Sequence, residues 1–420
     1  MVRAMVVGAL CVTVSLQAQE PADSLTLTRD QAIAQALVGS PLLAIAREQV
    51  AQVRAQGTQA SAFPDPEIAA DWAGLSKPFK PGTRTGSDVS VGLTVPFPQK
   101  LLMQGAAGRA TVRSAEFAYE QQRQAVVAET AQAYDALLVA LQHGRDLAQA
   151  RQLAADFLER TEARFAGGTV PRLDVIKARV ELAQAENDRI ANERDQANTR
   201  SALNRAMGRL LRLPLAPADS LTVPATPAAL DSLVPVALAQ RPELRGLDAD
   251  RSSARTSAAI AQQYFLPDLS LSLEKNVVNG SPDEYTLGLG FSVPLFFWNH
   301  QRGEVAEARH RVRELDASYR DLEAGVEQDV RTAWASADAA IRQATYLRDE
   351  LVPEAQHAYD VVSKSYALGG SSALDVIDAR RTLLDAENQY ADALGAANDA
   401  VFQLRLALGE PVGRAAGESR

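Results

Sequence analysis

Two aspartates three residues apart, Asp375 and Asp378, stand in the stretch ALDVIDARRTLLDAEN at 373–388, where leucine and alanine recur at helical spacing. Side chains three apart share a helix face, so both carboxylates can look into the same space. Like charges held that close raise one another's pKa and favour bound cations, which is the chemistry of an ion-selective, pH-sensitive constriction. An acid near the start of a helix also caps or charges its N-terminus, and spacing alone leaves both roles open for Asp375. The other chemistry-bearing residues form no site. Glu307/His310 and Glu354/His357 each carry the Glu-x-x-His spacing that metal-binding bundles use in pairs, but both lie in one predicted helix, 47 residues and about 70 Å apart. His143 and His300 join no cluster, and no nucleotide-binding loop or nucleophile motif occurs. The sequence therefore predicts no enzyme, no cofactor and no bound metal, and energy for any transport has to come from a partner.

Nearly the same text occurs earlier, as RLDVIKARVELAQAEN at 172–187. Aligning 164–188 with 365–389, an offset of 201, gives 12 identities in 25 positions, among them Gly168 with Gly369 and Asp174 with Asp375. The chain is internally duplicated. The first copy has Lys177 where the second has Asp378, so only the second carries the acid pair.

The formal charge of −9, from 52 acidic and 43 basic residues with no basic run, argues against a nucleic-acid partner. Arg3, the apolar stretch Ala4 to Leu16 and the small Ala18 read as an export signal over 1–18. Cys11, the one cysteine, follows Leu10 rather than a small residue, which disfavours lipidation, and the exported part has neither a disulfide nor a thiolate site. No later run of about 18 apolar residues could cross a membrane as a helix. If the chain meets a membrane, strands must do it.

The elements that position the acids repeat as well. Residues 19–213 form a first unit: helical text at 28–60, two strands near 66–74 and 87–96, a long helix at 99–165 and a return helix at 171–208. A proline-rich connection at 214–228 leads into a second unit at 229–410, with helical text at 229–263, strands near 267–275 and 284–294, a long helix at 299–367 and a return helix at 372–408. The tail is 411–420. The long helices reach about 100 Å, far beyond an average globular helix. Leu383, Ala386, Tyr390, Ala393 and Ala397 step by three and four along the last helix, a coiled-coil seam of small residues. In the strands, Val89, Val91, Leu93 and Val95 alternate with Ser90, Gly92 and Thr94, as barrel strands do between lipid and a polar lumen. Four strands cannot close a barrel, so several copies must share one. Trp72, Trp298, Tyr285, Phe291, Phe296 and Phe297 lie at or beside the strand ends, fit either for an aromatic girdle or for plain packing.

This duplicated plan of two strands and a long helix, with prolines at the strand-to-helix passages and paired Gly-x5-Asp turns at Gly168/Asp174 and Gly369/Asp375, resembles outer-membrane efflux proteins of the TolC type along nearly all of the mature chain. VPFPQK at 95–100 is similar to a Phe-Pro-rich passage of the heavy-metal efflux branch. The resemblance implies a mainly α fold with a small β part, assembled as a homotrimer. Its twelve strands would form a barrel among outer-membrane lipid, and a twelve-helix barrel would cross the periplasm. It also implies a periplasmic adaptor, an inner-membrane pump with the RND type as one candidate class, and export of drugs, other small molecules or metal ions. The match makes Asp375 and Asp378 aperture acids, pairs Asp174 with Tyr366 as a latch, and brings the tips at Gly168 and Gly369 to the adaptor. Ser371 stands where relatives place an arginine, a departure that leaves the second latch open. The rival reading is an exported coiled-coil adaptor or scaffold, which the symmetric strands count against.

Overall fold

In a computed structural model, residues 25–73, 86–263, 265–278, 282–292 and 300–410 can be described. The export signal, the loop around residue 80, Phe296, Phe297, Trp298 and the tail lie outside the described residues. The first unit runs β1 (Leu25–Leu27), α1 (Arg29–Gly39), α2 (Pro41–Ala60), β2 (Glu67–Ala73), β3 (Gly86–Val95), α3 (Pro98–Ala166) and α4 (Arg172–Ala206). After β4 (Leu215–Pro217) the second runs α5 (Leu230–Gln240), α6 (Pro242–Gln262), β5 (Asp268–Val278), β6 (Glu284–Ser292), α7 (His300–Tyr346), a π-turn (Leu347–Leu351), α8 (Val352–Leu368) and α9 (Ala373–Ala407). The starts of α1 and α5, α2 and α6, β2 and β5, and α4 and α9 are each 201 residues apart. That is the offset of the sequence repeat.

Four features differ from the sequence reading, each for a local reason. The helical text at 28–60 is two helices, because Pro41 cannot continue α1 and forces Ser40 out to ψ 122°. Pro242 divides 229–263 in the same way, with Arg241 at ψ 122°. The helix predicted at 299–367 is interrupted: Pro353 has no N–H for the Asp349 carbonyl and its ring crowds it, and the backbone widens into the π-turn ahead of it. In α3, Gln152 takes the equivalent place and the helix runs unbroken for 69 residues, about 100 Å. Finally β5 continues to Val278, since Asn276, Val277 and Val278 go on pairing with Asp88, Ser87 and Gly86, where the sequence reading began a loop.

Helix packing supplies the core. Ala32, Ala36 and Leu43 of α1 and α2 meet Tyr134, Leu137 and Leu203 of α3 and α4, while Ala237 and Leu244 of α5 and α6 meet Val326, Val330 and Leu404 of α7 and α9. The two units thus bury equivalent seams against equivalent short helices. β1 pairs parallel with β4, fastening the start of the chain to the proline-rich connection. The Tyr134 hydroxyl backs that join, bonded to the Leu27 carbonyl and the Asp219 carboxylate, both at 2.9 Å.

The other sheet is antiparallel, in the order β2-β3-β5-β6, and joins the two units along β3 and β5. One face presents Ile68, Val91, Leu273 and Leu287 in one row, with Leu93, Leu271 and Leu289 in the next. All four strands leave large apolar side chains exposed there. The opposite face carries Ser90, Gly92, Ser270, Ser272, Gly288 and Gly290, together with Glu67, Asp71, Asp88, Glu274 and Glu284. β2 and β6 are open edges among the described residues. Trp72 and Tyr285 lie on the apolar face towards the β2–β3 loop, and Phe291 lies on it towards the helices. Along β6 the six steps from Tyr285 to Phe291 span about 20 Å.

Candidate functional site

The hairpin tips are built by two matching turns. At the end of α3, Gly168 takes φ 73°, the Gly168 N–H donates to the Phe165 carbonyl at 2.9 Å and the Thr169 N–H to the Arg164 carbonyl at 3.0 Å. At the end of α8, Gly369 takes φ 85°, with its N–H on the Tyr366 carbonyl at 3.0 Å and the Gly370 N–H on the Ser365 carbonyl at 2.9 Å. Both turns need a left-handed residue to satisfy the last carbonyls, and glycine accepts it without a Cβ penalty. Ser371 donates its hydroxyl to Ser365 at 2.7 Å and so closes its own turn.

Asp375 is the N3 partner of a capping box whose N-cap is Ser372. Its carboxylate accepts from the Ser372 N–H at 2.8 Å while its own N–H donates to the Ser372 hydroxyl at 3.2 Å, the reciprocal capping box. Those donors hold the Asp375 carboxyl below the usual carboxylate range. Asp378 follows three residues later and is exposed, as Asp375 is. Both remain free to face a shared space in an assembly. The cap and the aperture role are therefore compatible for Asp375.

Within the protomer the Tyr366 hydroxyl meets Thr161 and not Asp174. Tyr366 is 5% exposed, and its hydroxyl lies 3.3 Å from Thr161 Oγ1 on α3. Thr161 already donates to the Phe157 carbonyl at 2.8 Å, so the tyrosine O–H is the donor. The Tyr366 ring lies 5.3 Å from that of Phe157, and the Arg164 guanidinium sits 4.6 Å over its face and donates to the Tyr366 carbonyl. Burial between two α3 side chains aims the hydroxyl at α3, whereas Asp174 stands half-buried in the first turn of α4.

A second fastening was not identified from sequence. Glu181 of α4, 2% exposed, takes Arg380 and Arg381 of α9 on its two carboxylate oxygens, Arg381 Nη2 at 2.6 Å and Arg380 Nη2 as an ion pair. Arg380 is itself buried and donates through Nη1 to the Ala150 carbonyl of α3 at 3.0 Å, so one α9 side chain ties α9 to both α3 and α4. Burial and the neighbouring Arg381 push the Arg380 guanidinium down to about 10. A signal existed: in Val175-Ala178-Glu181-Ala185 and in Ala373-Val376-Ile377-Arg380-Leu383, opposite charges occupy seam positions that are otherwise apolar.

Among the described residues no group of three or more His, Cys, Asp or Glu could hold a metal, and no helix is long and apolar enough to cross a membrane. A family model described as "Outer membrane efflux protein" matches residues 32–209 and again 233–410, one match in each unit. The chain is 24% identical over 395 residues to the cobalt-zinc-cadmium resistance protein CzcC of Cupriavidus metallidurans, covering 91% of this chain and 90% of that one. It is 28% identical over 263 residues to the pyoverdine export outer membrane protein OpmQ of Pseudomonas aeruginosa, covering 60% of this chain and 52% of that protein's length. Its fold is similar to the crystal structure of the Campylobacter jejuni CmeC outer membrane channel, with a TM-score of 0.77, 18% identity, and 93% and 87% of the two chains covered.

Proposed function

The chain belongs to the outer membrane efflux protein family, and from that premise we propose that three copies form a passive duct, the outer-membrane component of a tripartite efflux system. The observation that carries this reading is the sheet. It joins two units, ends in open edges at β2 and β6, and exposes an apolar face of leucine, valine and isoleucine opposite a face of serine, glycine and acids. In water such a sheet would aggregate, and joined edge to edge with two copies in lipid it would have neither open edges nor wetted apolar residues. Trp72, Tyr285 and Phe291 would then mark the two rims of the lipid band. The adaptor or scaffold reading leaves that face without an occupant.

The helices would extend the duct into the periplasm, with the tips at Gly168 and Gly369 meeting a periplasmic adaptor and, behind it, an inner-membrane pump, the RND type being one candidate. Asp375 and Asp378 of three copies would bring six carboxylates to the aperture. The duct performs no catalysis in this reading, and its pump supplies both energy and choice of cargo. Small molecules and metal ions are the cargo classes. The relative matched along most of both chains is named for cobalt, zinc and cadmium resistance. Detergent-extracted outer membranes should yield heat-sensitive trimers, and a deletion strain should lose resistance to metals or drugs. A water-soluble monomer would overturn the reading.

A further inference from the structure

At the tip the α3/α4 hairpin of the first unit and the α8/α9 hairpin of the second are fastened by side chains of unequal kinds. Thr161 and Arg164 hold Tyr366 through one hydroxyl contact, one carbonyl and one ring face. Glu181 holds Arg380 and Arg381 through charge, in a seam whose neighbouring positions Val175, Ala178, Val376 and Ile377 are apolar and buried. Apolar residues there would close the seam at least as stably, because burying ions forfeits their hydration. An ion triad differs in having two favourable conditions: paired when the seam is shut, hydrated when it parts. Half-open arrangements, with a charge buried and unpaired, are the costly ones. The triad therefore makes the seam two-state.

An independent feature distinguishes the two hairpins. Only the second long helix contains a joint, the π-turn Leu347–Leu351 before Pro353, whereas α3 is unbroken. Leu347 packs with Ala393, Leu394 and Ala397, on the side of the joint away from the tip. Ala355, Leu383 and Ala386 form their own cluster on the tip side, and Arg380 lies beyond them. The latch thus lies on the far arm of the joint.

We propose that Glu181 is the latch residue of the duct: it holds the distal part of α8 and α9 against the first hairpin, and the tip opens when Arg380 and Arg381 leave it and that part swings about the π-turn. This deepens, and rests on, the reading of the chain as a tip-gated duct. Arg381 is half exposed and gives the weaker hold, while Arg380, tied also to Ala150, gives the stronger.

The test uses full-length trimers in planar bilayers. Glu181→Gln should raise open-state occupancy by about tenfold or more, since breaking a buried pair strands its partner. Arg381→Gln should raise it less. The charge-exchanged pair Glu181→Arg with Arg380→Glu should return it towards wild type. Adding Pro353→Ala to Glu181→Gln, which restores a regular helix, should reduce the opening. A wild-type protein that forms no channel would defeat the duct reading itself. Wild-type channels with unchanged occupancy in trimeric Glu181→Gln would defeat the latch alone. If Glu181→Gln does not assemble, Arg381→Gln decides, and unchanged occupancy there overturns the proposal.

Discussion

Leu271 and Ser272 are consecutive residues of β5, yet the proposed barrel assigns them to different solvents. Leu271 lies between Leu93 and Leu289 on the apolar face, and Ser272 lies between Gly92 and Gly288 on the polar one. They differ in depth by about 3.4 Å, so arginine placed at either meets nearly the same level of the bilayer. At Leu271, close to the middle of the apolar rows, an arginine faces lipid at about 2–4 kcal/mol per chain. Three copies share one barrel, so the trimer would lose about 6–12 kcal/mol, comparable to the whole stability of an ordinary domain. At Ser272 the same side chain enters a wet lumen beside Glu274 and should cost little. The assay is the heat-sensitive trimer band in outer-membrane extracts: Leu271→Arg should abolish it and Ser272→Arg should keep it. Equal loss in both variants, or loss only in Ser272→Arg, would refute the assignment of faces and with it the barrel.

Asp375→Asn with Asp378→Asn should remove most cation selectivity and divalent-cation block in planar bilayers, and unchanged currents would count against the acidic aperture. Tyr366→Phe deletes the hydroxyl contact to Thr161, a loss of about 1–2 kcal/mol for a buried hydrogen bond. It should admit large antibiotics, while Asp174→Asn should not, and wild-type sensitivity with normal trimer amounts would remove Tyr366 from the gate. Burial pushes the Asp135 carboxyl up to about 6, outweighing the Arg29 guanidinium that pulls the other way. The folded carboxyl then binds a proton that the unfolded one has released, so between about pH 4 and pH 6 stability falls as pH rises, by up to about 3 kcal/mol, and is level above. Thermal unfolding over that range should show wild type losing stability relative to Asp135→Asn as pH rises, with the difference constant above pH 6, and parallel curves throughout would contradict it.

The duplicated plan was legible because its signals are local and long. Alternation at Val89–Val95 and three-four steps at Leu383–Ala397 report which side of an element is apolar, whatever lies opposite. The breaks at Pro41, Pro242 and Pro353 were equally local, but helical composition on both sides masked them. What the tip residues touch was not legible. Tyr366 reaches Thr161 rather than Asp174, and Arg380 reaches Glu181 and Ala150, because contacts between the two hairpins depend on how the hairpins pack. The capping role of Asp375 was readable beforehand, since Ser372 and Asp375 have capping-box spacing.

α4 and α9 each have 35 residues, and each returns beside a rod that ends at a left-handed glycine in the same register. Change of length in such a chain is therefore coupled. Removing one heptad from α3 alone would lift its turn by about 10 Å, withdraw Thr161 and Arg164 from Tyr366 and leave Glu181 opposite the wrong turn of α9. Only matched deletions in α3, α4, the α7–α8 rod and α9 keep the tip level. Relatives that span a wider or narrower gap should differ from this chain by indels in sets of four, two in each half.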